Sequence, residues 1–344
     1  MTARITKSLA KKLGMLAGSA LIAATALTGP AKAEQNFLLS TASTGGTYYP
    51  VGVALATLVK VKLLPKHKIN MSAINSAGSG ENVKLLRENE AQFAILQGLY
   101  GSYAWNGTGP LANDGPQKEL RSVTMLWQNV EHFIVEKEYA KTGTVDDLKA
   151  MNGLKMALGK KNSGTLGSNK TILSNLGIDL DASYELVHLG YGPSGDALQN
   201  GTVAGISTPA GVPVGAVTKT FAAMKDDAVL LNFTDEQMKT ANGGLDLWTR
   251  YVIPAGTYPN QANDVNTIAQ PNFLAVRADA DEEAVYMITK TIYENLPFLQ
   301  SIHKATKAMS LDAATNGLPM PLHPGAARYY KEAGLDLPAN LIAN

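Results

Sequence analysis

Two glycine-rich loops carry the side chains best suited to ligand chemistry. The first is TGGTYYP from Thr44 to Pro50, and the second is GKKNSGT from Gly159 to Thr165. Glycine lets the backbone turn sharply and approach a ligand. Each loop stands between a predicted strand and a predicted helix, where free N–H groups and the hydroxyls of Thr47 and Ser163 favour an anion. The pattern indicates a small-anion site, with a simple capped turn as the alternative for each loop.

Two further glycine patterns resemble nucleotide-binding motifs but depart from them. In the second loop, Thr165 occupies the position where a P-loop needs its phosphate-binding lysine. The stretch Gly190 to Gly195 spells G-x-G-x-x-G, but no acidic residue follows at about the distance where the ribose partner belongs. We therefore predict a tight turn there and no nucleotide cofactor.

Catalytic and metal-binding patterns are absent from the sequence. The five histidines have no metal-ligand spacing, and the chain contains no cysteine. No G-x-S-x-G nucleophile elbow occurs either. We predict that the protein is not an enzyme and holds no metal or cofactor, with an exported hydrolase as a less favoured alternative.

The N-terminus predicts export. Four basic residues up to Lys12 precede an uncharged, mostly apolar run over 13–27, and Ala31 and Ala33 supply the small residues that a signal peptidase requires. The run is shorter than the roughly 20 residues of a spanning helix. We predict a signal peptide over 1–33, cleavage after Ala33 and a periplasmic, soluble product. That product retains 25 Lys and Arg against 29 Asp and Glu, a balance that argues against nucleic acid as a partner.

Strand-like runs alternate with helical patterns in two successive blocks. This predicts an α/β fold with mixed, mostly parallel sheets flanked by helices. We place lobe 1 at residues 34–130 and 252–344 and lobe 2 at 131–251, with a hinge between them. Open α/β sheets bind ligands beyond the carboxyl ends of their strands. Both glycine loops belong at such ends, so we expect a ligand cleft between the lobes.

Several separate motifs make the predicted mature chain resemble the TAXI family, the solute receptors of one class of TRAP transporter. They are TGGTYYP at 44–50, GSGEN at 78–82, EAQFA with Gln97, NGTGP at 106–110, Ser163-Gly164-Thr165, IPAGTYP at 253–259 and LPMPLHPGAARYY at 318–330. The resemblance implies a type II periplasmic-binding fold whose two lobes close on a glutamate-like or 2-oxoglutarate-like carboxylate. It also implies delivery of that solute to a TRAP membrane subunit, with an ABC transporter or a sensor kinase as alternative partners.

The resemblance also assigns ligand-binding residues. They are Thr44, Gly46, Thr47, Tyr48, Gln97, Ser163, Gly164 and Thr165, with Gly211 and Tyr258 as weaker candidates. Three features depart from the family pattern: Gly98-Leu99 after the glutamine, Asn162 before the serine, and the pair Lys160 and Lys161. The two lysines add positive charge beside the second loop, and the sequence leaves open whether either faces the cleft.

Overall fold

The computed structural model describes residues 33–342. The predicted signal peptide lies outside the described residues, apart from Ala33. In chain order the strands are β1 (Gln35–Ser40), β2 (Ile69–Ile74), β3 (Phe93–Gln97), β4 (Leu120–Val130), β5 (Phe133–Glu136), β6 (Lys155–Ala157), β7 (Glu185–Leu186), β8 (Gly205–Ser207), β9 (Ala228–Leu230), β10 (Thr249–Ile253) and β11 (Val265–Arg277). The α-helices are α1 (Tyr48–His67), α2 (Ser79–Arg87), α3 (Gly98–Asn106), α4 (Gly164–Asn175), α5 (Leu180–Ser183), α6 (Tyr191–Gln199), α7 (Gly215–Met224), α8 (Asp235–Asn242), α9 (Glu282–Glu294), α10 (Leu296–Ile302) and α11 (Pro324–Glu332).

The first sheet combines parallel and antiparallel strands. Strand β1 is parallel to β2 and β3, whereas β11 runs antiparallel to β3, β4 and β10. Strand β3 reads FAILQ, and all five of its residues are buried, as expected for a strand that is covered on both faces. Helix α1 packs against β2 and α9, and α11 packs against α9.

The second sheet has the order β7-β6-β8-β5-β9. Its strand β5 runs antiparallel to β8 and β9, whereas β6 is parallel to β7 and β8. Phe133 and Val135 belong to one apolar cluster and Ile134 to another. Because successive strand residues point to opposite faces, this alternation shows that both faces of the sheet are covered.

The long antiparallel pair β4 and β11 joins the two sheets. Strand β4 leads directly into β5, and beyond the paired region the Glu131 N–H donates to the Ile268 carbonyl at 2.9 Å. We call each sheet with its covering helices a lobe. The predicted boundary at 130/131 falls between β4 and β5, and the one at 251/252 falls inside β10, which pairs with β11 of the first sheet. The exact lobe boundaries stay a prediction.

The α/β class with mixed sheets flanked by helices is confirmed. The expectation of mostly parallel sheets was wrong: among the described strands, four pairs are parallel and five are antiparallel, because the long strand β11 and strand β5 each run against their neighbours. Among the helices within 33–342, none is long and apolar enough to cross a membrane.

Candidate functional site

A cavity of about 30 Å³ lies between the lobes and is bordered by the starts of four helices. Residues 46–48 begin α1, 78–79 begin α2, 163–165 begin α4 and 190–191 begin α6. These helices follow β1, β2, β6 and β7 along the chain, so the topology brings the loops at the strand ends together.

The first-lobe loop directs its hydroxyls away from its own helix. Thr47 is the N-cap residue of α1 but makes no side-chain capping bond. Its hydroxyl instead donates to the Gly211 carbonyl of the second lobe at 2.9 Å. The Tyr48 hydroxyl donates to Asn272 Oδ1 at 2.5 Å, and burial raises the pKa of Tyr48 well above its usual value. Tyr48 is therefore a neutral donor in the cavity wall.

The second-lobe loop is organised locally. Ser163 caps α4 by accepting a hydrogen bond from the Leu166 N–H at 3.0 Å. The Thr165 and Tyr191 hydroxyls lie 2.7 Å apart, and Tyr191 donates its proton to the Pro209 carbonyl at 2.6 Å. Because that proton is engaged, Thr165 is the donor to Tyr191. The two side chains form a fixed polar wall.

Hydrogen bonds connect the lobes around the cavity. Gln97 Nε2 of the first lobe donates to the Gly164 carbonyl of the second lobe at 2.9 Å. A Cβ at Gly164 would lie 2.9 Å from Gln97 Cδ and from Ser79 Oγ. The absence of a side chain at position 164 therefore lets the lobes approach this closely.

Buried amides form the inner end of the cavity. Gln97 and Asn129 line it, and each is only 2% exposed. Asn129 Nδ2 donates to Gln97 Oε1 at 3.3 Å, whereas Asn129 Oδ1 has no protein partner. Gln270 Nε2 and Asn272 Nδ2, on the neighbouring β11, are also buried without one. Since buried polar atoms are ordinarily hydrogen-bonded, this layer has spare capacity for a solute or water.

Two buried titratable groups follow β4 directly. Burial raises the pKa of Glu131 to about 8. The nearby side chains of Trp248 and Gln270 oppose this rise, although neither is placed to form a hydrogen bond with the Glu131 carboxyl group. Glu131 is therefore largely neutral at pH 7. Burial lowers the pKa of His132 to about 4. The ring is therefore neutral: Nδ1 donates to the Val130 carbonyl at 2.8 Å, and Nε2 accepts from the Tyr258 hydroxyl at 2.7 Å.

Seven of the residues that the resemblance assigned meet at the cavity. They are Gly46, Thr47, Tyr48, Gln97, Ser163, Gly164 and Thr165. Thr44 is exposed and lies outside the lining. Gly211 contributes its carbonyl to Thr47, and Tyr258 is buried against His132; neither lines the cavity. The assignment of all ten residues as ligand contacts stays a prediction.

Several lining residues were not among those assignments. Ser79, Asn129, Lys160 and Tyr191 all border the cavity. The pattern from Gly190 to Gly195 that we took for a tight turn is in fact the start of α6. Its position between a strand and a helix, the same as that of the two glycine loops, was the signal that could have identified it.

No group of three or more His, Cys, Asp or Glu residues within 33–342 is placed to hold a metal ion.

The sequence profile of the NMT1-like family matches residues 39–334.

Solved structures share this fold. MatC from Rhodopseudomonas palustris with bound malate aligns with a TM-score of 0.53 and 12% identity, over 86% of this chain and 98% of its own. A protein from Bordetella bronchiseptica RB50 aligns with a TM-score of 0.51 and 13% identity, over 86% and 82%. The alkanesulfonate-binding protein SsuA from Xanthomonas axonopodis pv. citri, bound to MOPS, reaches a TM-score of 0.47 at 12% identity, over 88% and 92%. The two alignments with TM-scores above 0.5 confirm the predicted two-lobed periplasmic-binding fold; at this identity the likeness concerns the fold alone.

Proposed function

We propose that this chain, which belongs to the NMT1-like family, is a periplasmic receptor that captures a small carboxylate between its lobes and delivers it to a membrane importer. The observation that carries the proposal is the convergence of four helix N-termini on one cavity. Among the described residues, the lining contains one cationic side chain, Lys160, and no acidic one.

The electrostatics of this cavity favour an anion. Each helix start contributes the positive end of the helix dipole, roughly half an elementary charge. The nearby Glu131 is largely uncharged at neutral pH because burial raises its pKa to about 8. It therefore adds little repulsion against a negative solute. The Tyr48 hydroxyl and the amides of Gln97 and Asn129 add polar groups that orient the solute.

The proposed mechanism is binding by closure. A solute first meets one lobe, and closure then brings the helix starts of the other lobe onto it. The bond from Thr47 to the Gly211 carbonyl and that from Gln97 to the Gly164 carbonyl form only when the lobes approach. Closure needs no energy source beyond a higher affinity of the solute for the closed form. No bond of the solute is made or broken.

The choice of partner rests on the family resemblance described above. It favours a TRAP membrane subunit, and a receptor for an ABC transporter or a sensor kinase has the same physical requirements. Isolating the receptor with its membrane partner from detergent-solubilised membranes distinguishes these cases by the identity of the partner.

The carboxylate proposal is tested by thermal unfolding of the processed protein after co-purified solute has been removed by unfolding and refolding. Carboxylates, amino acids, sulfonates and sugars are added separately. A solute at 100 times its Kd should add about 2.7 kcal/mol to the free energy of unfolding. Stabilisation by a carboxylate is the expected result. Stabilisation by neutral sugars alone, or by none of the compounds, contradicts the proposal.

A further inference from the structure

Lys160 is the charged residue of the cavity lining, and its ammonium has no acidic partner within the described chain. The other lysines of the same lobe are either paired, as Lys155 is with Glu185 and Lys170 with Asp181, or exposed to solvent, as Lys137 and Lys225 are. Lys160 is half-buried, whereas the adjacent Lys161 is exposed and lies outside the lining. A cation that is partly withdrawn from water without a counter-ion indicates that something else supplies the negative charge.

The loop geometry fixes where Lys160 starts. The Lys160 carbonyl accepts hydrogen bonds from the Ser163 hydroxyl at 2.7 Å and from the Ser163 N–H at 3.1 Å. Asn162 within this turn has the left-handed φ of 60°. The backbone is therefore held by the same serine that caps α4, and the lysine stem leaves the loop from a defined point.

Two parts of the cavity lining each combine a helix start with polar side chains, the inner one buried and the other half-buried. At the inner end, the start of α4 at Gly164 meets Gln97 and Ser79. At the other end, the start of α6 at Gly190 meets Ser43 and Lys160: a Cβ at Gly190 would lie 2.9 Å from Ser43 Oγ and 3.7 Å from Lys160 Cδ. Each end therefore combines groups from both lobes.

The inner end also contains a second sign of an occupant. Asn129, 2% exposed, lines the cavity with its Oδ1 unpartnered. A solute that reached only Lys160 would leave this layer unsatisfied, and one that reached only the amides would leave the lysine without a counter-charge. Asn129 Oδ1 only accepts, so the solute must place a donor there, such as a hydroxyl, an ammonium or a bridging water, beside the carboxylate that meets the helix starts, and a second carboxylate at Lys160.

We infer that Lys160 binds the second carboxylate of a dicarboxylate whose other end lies against Gln97 and the starts of α2 and α4. This inference rests on the proposed receptor function and adds its specificity residue. Lys160 thus selects dianionic solutes over their monoamides, in which the same end of the molecule is neutral. Lys161, one residue away, has no part in this selection.

The test compares Lys160→Gln with Lys161→Gln, since both remove one positive charge from neighbouring positions. Isothermal titration measures the affinities of L-malate, L-glutamate, 2-oxoglutarate and succinate, together with the monoamides L-glutamine and succinamate. We expect Lys160→Gln to weaken dicarboxylate binding about tenfold, to change monoamide binding less than about twofold, and thus to lose the preference. Lys161→Gln should keep both affinities, and Lys160→Arg should keep most of the preference.

Each other outcome overturns the inference. Equal effects of the two glutamine variants would show a long-range charge effect. Tighter binding of monoamides or monocarboxylates than of dicarboxylates by the unaltered protein would refute the inference while leaving a carboxylate receptor intact. Failure of every carboxylate to bind would refute the receptor proposal as well. Unfolding midpoints without solute, which should agree between the two variants, separate misfolding from lost recognition.

Discussion

The two glycine loops occupy the same position after a strand and before a helix, yet they use their hydroxyls differently. In the first-lobe loop, Thr47 leaves α1 uncapped and donates to Gly211 of the opposite lobe. In the second-lobe loop, Ser163 caps its own helix. The hydroxyl of the first loop thus connects the lobes, whereas the capping hydroxyl of the second holds its own loop in shape; the second loop meets the first lobe through its backbone, at the Gly164 carbonyl. Equivalent positions in the fold do not imply equivalent roles for the same kind of side chain.

The largest effect is expected at the contact between the lobes. Gly164→Ala places a methyl group 2.9 Å from Gln97 and Ser79, so both buried side chains must move, and the bond from Gln97 to the Gly164 carbonyl that joins the lobes is disturbed. We expect solute binding to weaken roughly 10- to 100-fold, equivalent to about 1.4–2.8 kcal/mol, as titration calorimetry would measure.

Gly192→Ala is the matched control, because a Cβ there meets no atom within 4 Å. It lies in the first turn of α6 and should leave binding unchanged. Equal losses in the two variants would show that the contact at Gly164 does not limit closure.

The two buried titratable residues that follow β4, Glu131 and His132, predict a pH effect on stability. Glu131 has a pKa of about 8 in the folded chain, so its contribution is present below the unfolded pKa of 4.5 and is lost as pH rises towards 8. His132 has a pKa of about 4, so the stability it contributes increases with pH instead and is complete above pH 6.5. Between pH 6.5 and 8, the ionisation of Glu131 alone should lower the free energy of unfolding by on the order of 1–2 kcal/mol.

Glu131→Gln should abolish this loss. Chemical unfolding of both solute-free proteins at pH 6.5, 7.2 and 8 measures the loss of unfolding free energy with pH. A profile equally steep in the variant would assign the pH dependence to other groups.

The capping difference between the loops predicts a difference in stability. Ser163→Ala removes the bond from the Leu166 N–H and should cost about 1 kcal/mol of unfolding free energy. Thr47→Ala, at the N-cap of α1, removes no capping bond. Chemical unfolding of the solute-free protein compares them, and a larger loss in the Thr47 variant would reverse the roles assigned to the two loops.

The smallest effect is expected when the bond between the lobes is removed. Thr47→Val eliminates the donor to Gly211, which is worth about 1 kcal/mol or less. We expect solute to bind three- to fivefold more weakly, mainly through faster dissociation, as stopped-flow measurements would show. Thr47→Ser keeps the hydroxyl and should bind normally. Thr165→Val, which leaves this bond intact, should change the dissociation rate less; a larger change there would contradict the division of roles.

Local patterns predicted much of the fold. Apolar periodicity accounts for α1, which begins at Tyr48, and for the buried strand β3. Capping chemistry accounts for the N-cap at Thr144, which begins a 3₁₀ helix over Val145–Met151, and for the capping box between Thr234 and Gln237 that begins α8.

Tertiary contacts determine the elements that local patterns do not predict. Helix α3 contains two glycines, and a Cβ at Gly101 would lie 2.5 Å from Pro319 and 2.7 Å from Phe273; close packing, not helix propensity, requires glycine there. Strand β11 contains Pro271, a residue that argues against a strand paired on both sides. Its register with β4 shifts directly after Asn272.

The same distinction applies to the site. Glycine and hydroxyl patterns predicted the loops from both lobes. The sequence does not reveal the place of Asn129, because that depends on which strands lie next to it. Lys160 and Lys161 are equivalent in the sequence, yet Lys160 lines the cavity whereas Lys161 is exposed.

The most direct test of the central claim measures whether the lobes approach each other when solute binds. The chain has no cysteine, so Asn113→Cys in the first lobe and Ser174→Cys in the second, both at exposed positions, accept spin labels specifically. Double electron–electron resonance then reports the distance between them. We predict that a bound carboxylate shifts the distribution to shorter distances and that Gly164→Ala suppresses this shift. Full-affinity binding with an unchanged distance would contradict capture between two closing lobes.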